Sequence, residues 1–244
     1  TKYVIVRFGS SAPILRVEPP STSIGLINKT FSINITINDL EAKWQAVGYE
    51  FRLAYNATLL EVVSVTEGPF LARFNQTATP PYTFFVYYIE TYKYGPHVLV
   101  GTILLPNATG GFPGPFPSGN GTIATITFKA IYQEKGYSRI AGYIKPPLTC
   151  NLTLLETMII DISKTEIPHY TEDGSYTIEP LNIGDVNWDG RVRVDDVLEG
   201  AQAFGSETGD PRWNPEADLN GNGLIRVDDI LAIALEFGWN SIDC

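Results

Sequence analysis

Short runs in which apolar and polar residues alternate dominate the first three quarters of the chain. The clearest is Phe31 to Ile37 (FSINITI), where Phe31, Ile33, Ile35 and Ile37 share one face and polar residues take the other. A period of two with one dry and one wet face is the requirement of a sandwich strand. Runs of the same kind predict strands over Tyr49 to Tyr55, Leu60 to Val65, Phe84 to Ile89, Val98 to Leu105, Thr122 to Ile131, Leu152 to Ile160 and Ser175 to Ile178. Gly, Pro and Asn separate them, the pattern of an all-β sandwich or barrel. After Leu181 the apolar spacing lengthens to the helical period, in Val197, Leu198, Ala201 and Phe204 and again in Ile230, Leu231, Ala234 and Phe237. Two helices therefore close the chain.

The same C-terminal segment carries an internal repeat with an offset of 33 residues. Residues 185–205 read DVNWDGRVRVDDVLEGAQAFG and residues 218–238 read DLNGNGLIRVDDILAIALEFG. Each begins D-x-N-x-[DN]-G and has an Asp at position 12, the ligand spacing of an EF-hand type calcium loop. Oxygens at positions 1, 3 and 5, a backbone carbonyl at 7 and a carboxylate at 12 can wrap one hard cation. The first loop would use Asp185, Asn187, Asp189, the carbonyl of Arg191, and Asp196; the second Asp218, Asn220, Asn222, the carbonyl of Leu224, and Asp229. Gly190 and Gly223 permit the sharp turn at position 6. The expected cofactor is two calcium ions, with the second loop one charge poorer because Asn222 replaces Asp189.

This repeated half-EF-hand, a loop and one helix without the entering helix, resembles a dockerin module over about Gly184 to Gly238. Dockerins are calcium-folded modules whose partner is a cohesin domain. The β region in turn resembles a cohesin, through Val47 to Glu67 (VGYEFRLAYNATLLEVVSVTE) and Gly119 to Ala130 (GNGTIATITFKA). The resemblance implies a mainly β fold, a jelly-roll-like cohesin-like β-sandwich of about nine strands presenting a sheet face to a partner, followed by a small α-helical dockerin-like domain. The organisation it implies is an N-terminal strand and linker over 1–13, the sandwich over 14–179, a linker over 180–183 and the calcium module over 184–244. Interface positions late in the calcium loops fall on Val194 and Asp195 and are repeated at Val227 and Asp228. The style of the resemblance is that of an archaeal surface protein.

Charge acquires meaning only against that division. The net charge is -10, but residues 1–181 carry 14 acids and 13 bases while residues 182–244 carry 13 acids and 4 bases. The acidity belongs to the calcium loops, and it excludes nucleic acid and anionic lipid as main partners. No run of 18 apolar residues is present, which excludes a membrane-spanning helix. Seven N-x-[ST] sequons occur, at Asn28, Asn34, Asn56, Asn75, Asn107, Asn120 and Asn151, and only Asn38 among the Asn of the β region falls outside one. That concentration predicts a glycosylated domain of an extracellular, secreted or cell-surface protein. The start at Thr1, with no Met and no leader, is expected of a mature product. The two cysteines, Cys150 and Cys244, are expected to form a disulfide, within one chain or between neighbours.

No G-x-S-x-G elbow, H-E-x-x-H helix or phosphate-binding Gly loop is present, and His97 and His169 stand alone, so no enzyme is expected. A secreted carbohydrate-active enzyme with unrecognised carboxylates stays open as the least favoured reading. The seven aromatics in Tyr82 to Tyr94 (YTFFVYYIETYKY) serve as core and sheet surface or as a polysaccharide platform. Residues 2–8 (KYVIVRF), with Tyr3 and Ile5 on one face, form either a strand of their own domain or one added to a neighbour's sheet. The expectation is a non-enzymatic assembly protein: copies joined head to tail in a calcium-stabilised filament or surface layer. The alternative is a module attaching to another surface protein or a polysaccharide.

Overall fold

The computed structural model describes residues 12–24, 28–74, 82–91, 93–112, 114–132, 134–135, 148–178 and 180–239. Thirteen strands and two α-helices follow in chain order. They are β1 (Ile14–Glu18), β2 (Ser21–Ile24), β3 (Thr30–Leu40), β4 (Ala46–Ala54), β5 (Leu60–Glu67), β6 (Thr83–Glu90), β7 (His97–Leu104), β8 (Gly119–Ala130), β9 (Glu134–Lys135), β10 (Leu148–Asp161), β11 (Tyr170–Glu172), β12 (Gly174–Ile178), β13 (Pro180–Leu181), α1 (Val194–Ala203) and α2 (Val227–Leu235). One sheet has the order β11-β1-β3-β8-β5, a second β2-β12-β10-β4-β7-β6, and β13 pairs with β9 in a third. The chain divides into two compact units. One comprises Thr1–Thr22, Thr30–Lys129 and Cys150–Tyr176; the other comprises Ser23–Lys29, Ala130–Thr149 and Thr177–Cys244.

Alternation decides which side of each strand is dry. In β3 Ile33, Ile35 and Ile37 are buried, and their antiparallel partners are Ile126 and Ala124 of β8 and Val17 and Leu15 of β1. In the second sheet Tyr49, Phe51 and Leu53 of β4 are buried beside Val98 and Val100 of β7. Phe128 stacks on Phe31 at 5.6 Å and lies 5.3 Å from Tyr55. Each such side chain removed from water contributes about 1.5–3 kcal/mol before the entropy of ordering is set against it.

All eight strands expected from alternation are present, with ends shifted by a few residues. The expectation lacked β1, β2, β9, β11 and β13, because each is too short to show a period; β1 has only Leu15 and Val17 facing inward and is followed by Pro19 and Pro20, and β13 falls where a linker was expected. It also lacked the irregularity in β10, where the register against β4 shifts between Leu155 and Met158. The shift moves the buried side from Leu152 and Leu154 to Ile159, which a strict period of two cannot do.

The two helices lie where expected, but the residues that set the helical period are not the buried ones. Leu198, Ala201, Phe204, Leu231, Ala234 and Phe237 are exposed, whereas Gly200, Ala203, Ala232 and Ile233 are buried. A small core of Val186, Val192, Ala203, Ala217, Ile225 and Ile233, flanked by Val197, Trp213, Ile230 and Trp239, closes the segment on its inner side. The reason is the loop: each D-x-N-x-[DN]-G loop folds its own apolar residue, Val192 or Ile225, under the helix and occupies the inner face.

Candidate functional site

Two surfaces of chemical interest emerge, and each lies within one compact unit. The first is the pair of loops before α1 and α2. In the first loop both oxygens of Asp185 accept backbone hydrogen bonds, Oδ1 from Asp189 N at 3.0 Å and Oδ2 from Gly190 N at 2.9 Å. Asp196 Oδ1 accepts from Val186 N at 2.9 Å and Asn187 N at 3.2 Å, and its Oδ2 from Arg193 N at 2.8 Å. That last bond pairs a free amide at the start of α1 with a carboxylate, where the helix dipole favours negative charge. The second loop repeats the arrangement residue for residue. Asp218 accepts from Asn222 N and Gly223 N, and Asp229 from Leu219 N, Asn220 N and Arg226 N.

Backbone conformation is repeated too. Position 4 is left-handed in both loops (Trp188 φ 65°, Gly221 φ 70°), as is position 6 (Gly190 φ 86°, Gly223 φ 80°). Each loop is clasped by the segment that follows the other helix. Ile225 N donates to Ser206 O at 3.0 Å and Gly205 N to Ile225 O at 2.9 Å; Val192 N donates to Trp239 O at 2.9 Å and Gly238 N to Val192 O at 2.8 Å. The two repeats therefore form one interlocked module with approximate two-fold symmetry.

The donor chemistry of the loops fits a hard cation. Asp185, Asp196 and Asp229 are buried at 5%, 0% and 1% exposure. Burial pushes the Asp185 carboxyl up to about 6, against the backbone donors that stabilise its charge, and the neighbouring Asp196 and Asp189 carboxylates push in the same direction. Carboxylates that are costly to ionise alone are what a divalent ion would neutralise. Carboxylates by themselves do not close a cage: among the described residues no group of three or more His, Cys, Asp or Glu is placed to hold a metal. Asn187, Asn220 and Asn222 and the carbonyls of Arg191 and Leu224 would have to complete the two oxygen sets.

The expected interface residues of the module are at its surface. Val194 and Val227 are 71% and 72% exposed, Leu198 and Leu231 55% and 54%, and Phe204 and Phe237 51% and 62%. Asp195 and Asp228 are exposed and accept from Asn187 Nδ2 and Asn220 Nδ2 respectively. Equivalent positions of the two repeats are thus apolar and exposed to nearly the same degree. Tyr3 and Ile5 of the expected N-terminal strand lie outside the described residues, as do Asn75 and Cys244. Cys150 is half-buried and forms no disulfide among the described residues.

The second surface was not anticipated. On the outer face of the second sheet, pairing sets Ile160, Gly48, Ile103 and Phe84 in one row and Met158, Glu50, Gly101 and Val86 in the next. Gly48 and Gly101 leave the middle of these rows open, and a groove of about 290 Å³ runs between Phe84 and Val86 on one side and Met158 and Ile160 on the other. Phe84 is 57% exposed, and Tyr88, two rows along, 58%. A charged rim lies beyond: Arg52 Nη1 is 2.9 Å and Lys93 Nζ 2.8 Å from Glu156, to which the Tyr94 hydroxyl also donates. Lys93 holds the Glu156 carboxyl below the ordinary range. A glycine inside a strand signals close approach or an open groove. Both were visible in the sequence, but their adjacency depends on the register of three strands, which was not.

The comparisons with known proteins bear on the sandwich. Residues 20–141, half of the chain, match the family model described as Cohesin domain. No curated protein matches. Among solved structures, a chain from a type I cohesin–dockerin complex of Clostridium thermocellum is 18% identical with a TM-score of 0.51, covering 72% of this chain and 99% of that one. A non-cellulosomal cohesin from the hyperthermophilic archaeon Archaeoglobus fulgidus is 17% identical with a TM-score of 0.47, covering 69% and 91%. A third, from Clostridium acetobutylicum, is 16% identical with a TM-score of 0.47, covering 70% and 92%. The family match ends before the loop-helix module begins.

Proposed function

From the premise that this chain belongs to the cohesin-domain family, we propose that it is a non-enzymatic extracellular assembly protein with both halves of a docking contact. The sandwich offers the groove between β6 and β10; the C-terminal module, dockerin-like and held by two calcium ions, offers the apolar ridges of α1 and α2. The observation that carries this reading is that one chain exposes two apolar surfaces of opposite shape, a groove with glycines at its floor and a helix pair with Val194, Leu198, Val227 and Leu231 outward. Exposed apolar patches of this kind mark interaction sites. Helix-in-groove docking is a recurring use of an amphipathic helix.

A contact between different patches of identical chains does not close on itself unless its rotation permits, so it propagates into a filament or layer. Calcium would be held by Asp185, Asn187, Asp189, Asp196 and the Arg191 carbonyl, and by Asp218, Asn220, Asn222, Asp229 and the Leu224 carbonyl. Its contribution would be to neutralise the buried carboxylates and so keep both ridges in place. A strand from residues 2–8 added to a neighbour's sheet, and a Cys150–Cys244 bond, would reinforce such an assembly. Electron microscopy of the purified chain, with calcium and then with a chelator, tests the proposal. Filaments or sheets that disperse on chelation are expected; monodisperse monomers at high concentration in calcium would reject it.

A second reading rests on the exposed aromatics of β6. Phe84 and Tyr88 lie in alternate rows of one face and could stack on sugar rings, attaching the chain to a polysaccharide or another surface protein. Binding to a glycan array without self-assembly would favour it.

A further inference from the structure

Some asparagine side-chain nitrogens of this protein are spent in hydrogen bonds. Outside the sequons, Asn38 Nδ2 donates to Thr36 at 3.0 Å, Asn182 Nδ2 to Glu236 at 2.8 Å, Asn187 Nδ2 to Asp195 at 3.3 Å and Asn220 Nδ2 to Asp228 at 2.9 Å. Asn214 and Asn222 are held by their oxygen, from Glu216 N at 3.0 Å and Leu224 N at 2.8 Å, but neither has Ser or Thr two residues on. In three sequons a threonine hydroxyl holds the carboxamide oxygen, and in a fourth Asp39 N donates to Asn120 Oδ1 at 2.9 Å. Asn34 Oδ1 accepts from the Thr125 hydroxyl at 2.7 Å. Asn56 Oδ1 accepts from Thr58 N at 3.0 Å and the Thr58 hydroxyl at 2.7 Å. Asn107 Oδ1 accepts from Thr109 N at 3.1 Å, the Thr109 hydroxyl at 2.8 Å and Gly111 N at 2.9 Å. Among the described residues none accepts a hydrogen bond from Nδ2 of these three, and none of the three is buried.

We propose that Asn34, Asn56 and Asn107 carry N-linked glycans, and that these sugars leave the groove face bare. The donor class is an oligosaccharide joined through C1 to a lipid phosphate or pyrophosphate. A transferase on the export route moves the sugar: Asn Nδ2 attacks C1, the C1–O bond breaks, the lipid phosphate leaves with the electron pair, and the amide proton passes to the transferase's base. Fixing the oxygen and leaving the nitrogen outward presents the atom that reacts.

Their placement gives the modification a consequence. Ile33 and Ile35 are buried, so Asn34 between them points away from the core, into a polar outer face shared with Ser32, Thr125 and Thr127. Asn56 follows β4 and Asn107 follows β7, and antiparallel pairing of those strands puts the two turns at opposite ends of the sandwich. Of the four strands that line the groove, β4, β6 and β7 carry no sequon and β10 carries one. Asn151 shares the outer side of β10 but is seven residues from Met158, on the order of 20 Å along the strand. Sugars on Asn34, Asn56 and Asn107 therefore stand off the groove face and leave it bare for protein contact.

Glycopeptide mass mapping of protein purified from the cells that make it tests this, and its result is independent of whether the chain polymerises. Hexose-containing adducts on the peptides bearing Asn34, Asn56 and Asn107 are expected. Each of Asn34→Gln, Asn56→Gln and Asn107→Gln, expressed in the same cells, should remove one glycan mass without changing the thermal midpoint beyond the loss of that sugar. Peptides at their sequence masses for these three positions, or occupancy confined to other sequons, would overturn the proposal.

Discussion

Asp196 and Asp229 bear the most weight of any single residues in the C-terminal module. Each is fully buried and accepts three backbone hydrogen bonds that join the start of a loop to the start of its helix. Asp196→Ala leaves three amides without their acceptor and removes a proposed calcium ligand, so it should cost about 3 kcal/mol in calcium. Asp229→Ala should cost the same within about 1 kcal/mol, since its contacts are equivalent. Thermal unfolding followed at the helical circular dichroism band checks both, and a large asymmetry would reject the equivalence of the repeats. In the sandwich, Ile35→Ala should cost about 2–5 kcal/mol as a buried truncation. Ser32→Ala on the outer face should cost under about 1 kcal/mol. The loop residues were legible in the sequence because their chemistry demands a fixed spacing. The hydrogen bonds that bury Asp196 were equally implied by position 12, since a carboxylate there must face back toward position 1.

At the level of elements, alternation announced eight of the strands and the helical period announced both helices, but not which face of each helix is buried. Alternation in β3 is clean because Ile33, Ile35 and Ile37 meet a core on one side and water on the other. In α1 and α2 the apolar period marks a surface that the chain's own loops do not cover, so a pattern read as a sign of folding partly marks an exposed apolar face. The groove was hidden for a different reason. Gly48 and Gly101 are far apart in the chain and become neighbours only when β4 and β7 are placed in register, and the β10 bulge that brings Met158 and Ile160 alongside leaves no local signature. Gly101 has room for a side chain: an added Cβ would meet only Val86 Cγ1, at 3.5 Å. Gly101→Gln should therefore leave the sandwich as stable within about 1 kcal/mol. By filling the groove it should weaken partner binding at least about ten-fold, or 1.4 kcal/mol. Calorimetry and titration with the helical module check the two effects separately; unaltered binding would move the docking surface elsewhere.

For the whole molecule, the proposed function makes the negative charge concentrated in the last 63 residues the connection between folding and assembly. If two calcium ions neutralise the buried carboxylates, their removal should unfold the module and leave the sandwich, whose core is apolar. Two unfolding transitions are expected in chelator, with the lower one rising as calcium is added; at a concentration 100 times Kd the gain is about 2.7 kcal/mol per independent site. A single calcium-insensitive transition would contradict the cofactor assignment. Mass measurement of unreduced protein checks the remaining covalent expectation, because a Cys150–Cys244 bond removes two hydrogen masses from the chain, and full thiol titration would exclude it.

Head-to-tail docking is tested most directly by mixing two variants, each disabled on one surface. One carries Gly101→Gln in the groove; the other carries Leu198→Lys and Leu231→Lys on the helical ridges. In calcium each alone should be monomeric by light scattering, since each lacks one half of the contact. Their mixture should form dimers and nothing larger, because the one intact groove meets the one intact ridge and the remaining ends are blocked. Filaments from either variant alone, or a mixture that stays monomeric where the unmodified chain assembles, would contradict the account.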